Sequence, residues 1–416
     1  MTRRATVVLV LVTVAVVAVV AIAHLVGGRN SAAQGSADPA LPLASATTTA
    51  STASLVVAMG HLDDPANTFW QLFLRPTPGT TWRLETPPGV ADNGGLVAAL
   101  PAAGPLTAGF LTSAQLEFSP VAQSTDGGST WMPGFLPTAL VPAPDAMAVG
   151  SGGTLLALVA TSGQTVLTST GDPSTWHPLV TSAVLARALP ACGVARVTAV
   201  AFDQLGRPVV GVQCTRDGTL GVLTGDALQS PFLDPRPGSP ITWRPLEPST
   251  PVPGTVTVLR LESTPSGPVG VDEVHSGSTT SLEAVWAQGT NGASVQSATD
   301  PVPPGWTVAA TAVGGSGGEG VAVLLSGPGS ARRIEVTPGP SPPAILPPGS
   351  DAGLTPAWTG LPTVPAGASA VATVGGEVDA FVVSGSQLTV WALAPGTAAW
   401  TRAAVVDVPL QYGSSS

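Results

Sequence analysis

Seven phrases built on tryptophan divide this chain at intervals too long for a single hairpin and too short for separate domains. They are PGTTWRL at Trp82, GGSTWMP at Trp131, DPSTWHPL at Trp176, SPITWRPL at Trp243, PPGWTV at Trp306, TPAWTGL at Trp358 and TAAWTRA at Trp400. Successive tryptophans lie 49, 45, 67, 63, 52 and 42 residues apart, which is room for about four short strands and their loops in each unit. Between the phrases run short apolar stretches such as SLVVAMG (54–60), GTLLALVATSG (153–163), RPVVGVQC (207–214), TVTVLRLE (255–262), GVAVLLSG (320–327) and VDAFVVSG (378–385), each broken by Gly, Pro, Asp or Ser. Their valine content and regular turn punctuation predict strands, and no segment after residue 30 reads as a helix.

One unit is laid out in full around the third phrase. TLLALVAT runs as a strand, SGQ turns, TVLTS returns, TGDPS turns again, and TWHPLV runs back. A meander of this kind is apolar on both faces and cannot bury itself alone. Seven arranged radially bury one another and leave few exposed edges. The expected fold is therefore all-β: one seven-bladed β-propeller over residues 54–411, with a short tail at 412–416. Pairing of the two chain ends should close the ring, with AAVVDVPLQ (403–411) joining the strand SLVVAMG. Two immunoglobulin-like sandwiches need a similar number of strands but give no reason for a recurring tryptophan.

Composition agrees with a folded, turn-rich chain. Glycine (49) and proline (43) are abundant, yet 44% of residues are hydrophobic and 10% charged, so apolar surface is plentiful. The formal charge is −10, and all fifteen basic residues are arginine. No basic stripe accompanies the acidic balance, which argues against nucleic acid as a partner.

The amino terminus points outward across a membrane. Met1–Arg4 is short and basic, and residues 5–23 form an unbroken apolar run of the length that crosses a bilayer. Arg3 and Arg4 should stay on the cytoplasmic side, leaving the rest outside. Residues 1–27 thus read either as a retained single-pass signal anchor or as a signal peptide cleaved near Ala23, where AIA has the small-x-small pattern of a cleavage site. Residues 28–53, nearly free of large apolar side chains, read as a disordered linker. Cys192 and Cys214 are the two cysteines of the chain, an even number in an exported protein, and flank two apolar runs around the turn-like DQLGR. A hairpin there brings both to its open end, and the expected outcome is a disulfide.

The octet STDGGSTW, Ser124 to Trp131, resembles the Asp-box, or bacterial neuraminidase repeat, with the pattern S/T-x-D-x-G-x-T-W matched at Ser124, Asp126, Gly128, Thr130 and Trp131. STGDPSTW (169–176) is a degenerate copy with its acid moved to Asp172, and RPTPGTTW (75–82) keeps Gly79, Thr81 and Trp82. The resemblance implies a turn between the third and fourth strands of a blade, on the outer rim and away from the axial ligand site. The residue chemistry supports the same structural role: Asp and Ser bond local backbone in turns and Gly accepts positive φ.

The same resemblance raises sialidase activity, which calls for three substrate-clasping arginines, a tyrosine nucleophile with its glutamate, and an acidic proton donor. FLRP (Phe73–Pro76) only loosely resembles the family's arginine motif, and the sole tyrosine is Tyr412 in the tail. A general glycosidase needs two carboxyls across a cleft, whereas Asp63 and Asp64 are adjacent and read as a turn. VGGSGGEG (313–320) contains Gly314-x-Ser316-x-Gly318 and Gly315-x-Gly317-x-x-Gly320, but both motifs must lead into a helix and a strand follows. Glu273 and His275 share a strand face, too few ligands for a metal site, and His177 reads as an exposed strand residue.

The expectation is a membrane-tethered or secreted propeller outside the cytoplasmic membrane. It should act as a non-catalytic binding or scaffolding module for a protein or glycan at the propeller mouth, with no catalytic residues, metal or cofactor. The alternative is a glycan-directed hydrolase of the sialidase-like or Asp-box glycosidase type.

Overall fold

The structure is a computed structural model describing residues 43–48, 54–61, 68–76, 79–90, 96–99, 105–110, 120–136, 143–150, 153–160, 164–170, 172–216, 218–226, 241–246, 252–264, 267–288, 294–314, 320–339, 357–374, 376–384 and 387–408. The expected anchor at 5–23, Asp63, Asp64 and Tyr412 lie outside the described residues. Among those described, no helix is long and apolar enough to cross a membrane.

Among the described residues, twenty-eight strands follow one another in antiparallel meanders. The first sheet holds β1 (Leu43–Thr48), β2 (Ser54–His61), β3 (Thr68–Arg75) and β4 (Arg83–Leu84). The second holds β5 (Leu96–Ala99), β6 (Leu106–Phe110), β7 (Pro120–Ser124) and β8 (Met132–Phe135), and the third β9 (Ala146–Val149), β10 (Thr154–Val159), β11 (Thr165–Thr170) and β12 (His177–Thr181). Next come β13 (Val194–Phe202), β14 (Pro208–Cys214), β15 (Val222–Gly225) and β16 (Trp243–Pro245), then β17 (Thr255–Thr264), β18 (Gly267–Ser276), β19 (Thr279–Gln288) and β20 (Ser294–Val302). These two meanders form one eight-stranded sheet, joined through the pairing of Gln213 with Thr257. The last two sheets are β21 (Thr307–Gly314), β22 (Gly320–Ser326), β23 (Arg332–Thr337) and β24 (Thr359–Gly360), and β25 (Ala368–Val374), β26 (Glu377–Ser384), β27 (Gln387–Leu393) and β28 (Thr401–Asp407).

Apolar side chains on both faces of each meander decide how the sheets stack. On β19, Leu282, Ala284 and Trp286 pack toward β21 and β22, while Val285 and Ala287 pack toward β13–β15. Such alternation, with period two, buries both faces of a strand. Every core cluster accordingly spans two neighbouring meanders. Phe73 of the first sheet packs with Ala370, Phe381 and Val390 of the last, so the series returns to its start.

Four expectations need correction. The carboxyl-terminal strand does not pair with SLVVAMG: β28 pairs with β27 of its own sheet, and the first and last sheets meet by side-chain packing. The stretch read as linker contributes β1, whose backbone pairs with β2 despite its small side chains. Ser182–Ala188 is a helix, α1; the Thr181 hydroxyl accepts from the Val184 N–H as its amino-terminal cap, and Leu185 anchors it in the core. Its seven residues carry no repeating apolar stripe, so periodicity did not announce it. The fourth correction concerns Trp306, described below.

Candidate functional site

The octet forms the connection between β7 and β8, the third and fourth strands of the second sheet. Ser124 Oγ donates to Asp126 Oδ1 at 2.7 Å and accepts from the Gly128 N–H at 2.7 Å. Asp126 accepts twice more, from the Thr130 N–H at 2.8 Å and the Thr130 hydroxyl at 2.6 Å. The Thr130 hydroxyl above all, then its N–H and Ser124, holds the Asp126 carboxyl down at about 2. Gly128 lies at φ 96°, and a Cβ there would stand 2.5 Å from the Glu85 side chain of the preceding sheet. The hydrogen bonds of this aspartate run to its own turn, which it fastens.

The degenerate copy keeps part of this geometry. Asp172 accepts from the Ser174 N–H at 2.8 Å and the Thr175 hydroxyl at 3.1 Å, and Trp176 Nε1 donates to the Pro173 carbonyl at 2.6 Å. That turn also touches its predecessor, because the Phe135 N–H donates to Pro173 O at 3.0 Å. Both loops thus seat against the fourth strand of the sheet before them.

Trp82, Trp131, Trp176, Trp358 and Trp400 each stand immediately before the fourth strand of a meander, and Trp243 is the first residue of one. Trp306 departs from the series, because it follows β20, the fourth strand of its meander, and precedes β21. The large side chain inside that meander is instead Trp286, fully buried on β19. Indole N–H groups tie neighbours together: Trp358 Nε1 donates to Ala298 O at 2.8 Å and Trp400 Nε1 to Pro362 O at 3.3 Å. The expected disulfide joins Cys192 to Cys214 at the open end of the β13–β14 hairpin.

Arginines and buried carboxylates serve the joints between meanders. Arg75 pairs with Asp379 and, at 3.2 Å, with Glu377 of the last sheet. Arg260 pairs with Glu262 at 2.6 Å and reaches Thr311 O at 3.2 Å, and Arg332 donates to Ala368 O at 2.8 Å. These three contacts occupy three different joints, so Arg75, Arg260 and Arg332 do not clasp one ligand. Asp272 and Glu283 stand opposite each other on β18 and β19, on the face turned toward the fourth meander. Burial first, and then the Glu283 carboxylate, raises the Asp272 carboxyl well above its ordinary range. At 0% and 5% exposure the two are closed to any substrate.

The remaining sequence candidates stay apart. His275 Nε2 lies 3.4 Å from Glu273, and among the described residues no group of three His, Cys, Asp or Glu could hold a metal. His177 is exposed at the start of β12. β21 and β22, which bracket the glycine motifs, pair as a hairpin, so a strand and not a helix follows the motifs directly.

A feature absent from the sequence reading lies at the end of the first sheet opposite its β3–β4 turn. β4 is two residues long, because Pro87 and Pro88 follow shortly after and cannot donate to a ladder. The edge of β3 at Trp70 and Gln71 is therefore bordered by a turning loop in place of a strand. Thr86 spans the gap, its hydroxyl donating to Gln71 Oε1 at 2.9 Å and accepting from the Leu72 N–H at 3.0 Å. The resulting cleft, about 320 Å³, is lined among the described residues by uncharged side chains, Trp70, Gln71, Leu84, Thr86, Pro87 and Pro88 among them. A second recess, between the fourth and fifth meanders, has about 10 Å³, room for one water.

No family model matches this chain, and no curated protein matches it. Solved structures do. A GH74 xyloglucanase from Xanthomonas campestris superposes with a TM-score of 0.51 at 15% identity, over 88% of this chain and 55% of that one. YCF48 from Cyanidioschyzon merolae gives 0.42 at 16% identity over 86% and 98%, and the Aleuria aurantia lectin, in complex with alpha-methyl-L-fucoside, 0.41 at 11% over 90% and 99%. The chain spans about half the length of the xyloglucanase. The fold is a β-propeller. At this level of identity the likeness carries no activity with it.

Proposed function

We propose that the chain is a seven-bladed, Asp-box-type propeller acting outside the cytoplasmic membrane, tethered or secreted, as a binding module without catalysis. Seven blades follow from taking the eight-stranded sheet as two meanders bridged by one residue pair. The Asp-box reading rests on the Ser124–Asp126–Thr130 bonding, which is local and structural. Residues 5–23 supply the outward placement.

The observation that carries the binding reading is a separation of chemistry. Arg75, Arg260 and Arg332 are committed to joints between meanders, whereas the described residues that line the cleft beside Trp70 are uncharged. Such a wall can hold a ligand, and its described residues include no carboxyl, imidazole or guanidinium for catalysis. The test is a paired assay on the full chain in mild detergent: capture of oligosaccharides and of envelope proteins, alongside release of reducing sugar. Saturable capture without release is expected; catalytic release of sugar contradicts it.

A further inference from the structure

We draw no further inference here: the strongest candidate, the buried Asp272–Glu283 carboxyl pair on the face of β18 and β19 turned toward the fourth meander, is closed to any ligand, offers too few oxygen donors for a cation, and otherwise rests on the raised titration of its two carboxyls alone.

Discussion

Arg75 and Asp379 stand 304 positions apart in the chain, on the first and last sheets, and form an ion pair with both side chains buried. Around it, Trp82 meets Phe381 edge to face at 5.6 Å, and the Arg75 guanidinium lies 5.3 Å from the Trp82 ring centre. The first and last sheets thus meet through a charged and aromatic clasp, where a shared strand was expected.

Breaking that clasp should cost far more than breaking a rim pair. Arg75→Met strands two carboxylates in the joint and should lower unfolding free energy by about 3–5 kcal/mol. Arg83→Ala, at an exposed pair, should cost about 0–1 kcal/mol. Urea titrations compare the two, and Arg75→Met with Asp379→Leu should recover much of the loss.

Asp126 predicts an acid-side effect. Its carboxyl titrates near 2 in the fold against 3.8 unperturbed, so its contribution is present above the unfolded value and lost as pH falls through about 2. Asp126→Ala should melt lower than the parent at pH 6, and the difference should shrink toward pH 2.

Asp272 and Glu283 predict the opposite slope. Burial raises both carboxyls, so the fold keeps protons that the unfolded chain has released. Stability from this pair is complete below the unfolded carboxyl values, about 4, and declines as pH rises toward the folded ones. Asp272→Asn, unable to ionise, should flatten the decline in melting temperature between pH 4 and 8. An unchanged slope means that the pair does not carry the effect.

The disulfide predicts a redox dependence. Cys192 and Cys214 are buried and close a loop with a sequence separation of 22. Replacing both by serine should lower stability by about 3 kcal/mol, read as a fall in the urea midpoint.

What the sequence made legible was local. The Ser124–Thr130 turn and the hairpin between the cysteines are fixed by residues within a few positions of one another or by one reversal of the chain. The strand meanders were legible because valine-rich runs and turn residues alternate at strand length. Trp306 misled, since a tryptophan phrase does not say which side of the fourth strand it occupies. The partner of Arg75 lies on the last sheet, beyond the reach of any pattern within FLRP. The cleft was also hidden, because it exists only where a Pro-Pro step ends β4 early beside Trp70 and Gln71; the adjacent prolines after a short run were the one signal.

A rigid ring that holds its ligand and leaves it chemically unaltered is most directly tested by mass spectrometry of neutral and sialylated oligosaccharides after prolonged incubation with the full chain. Every oligosaccharide recovered at its starting mass is the predicted result. Shortened or desialylated products that scale with protein concentration would contradict it.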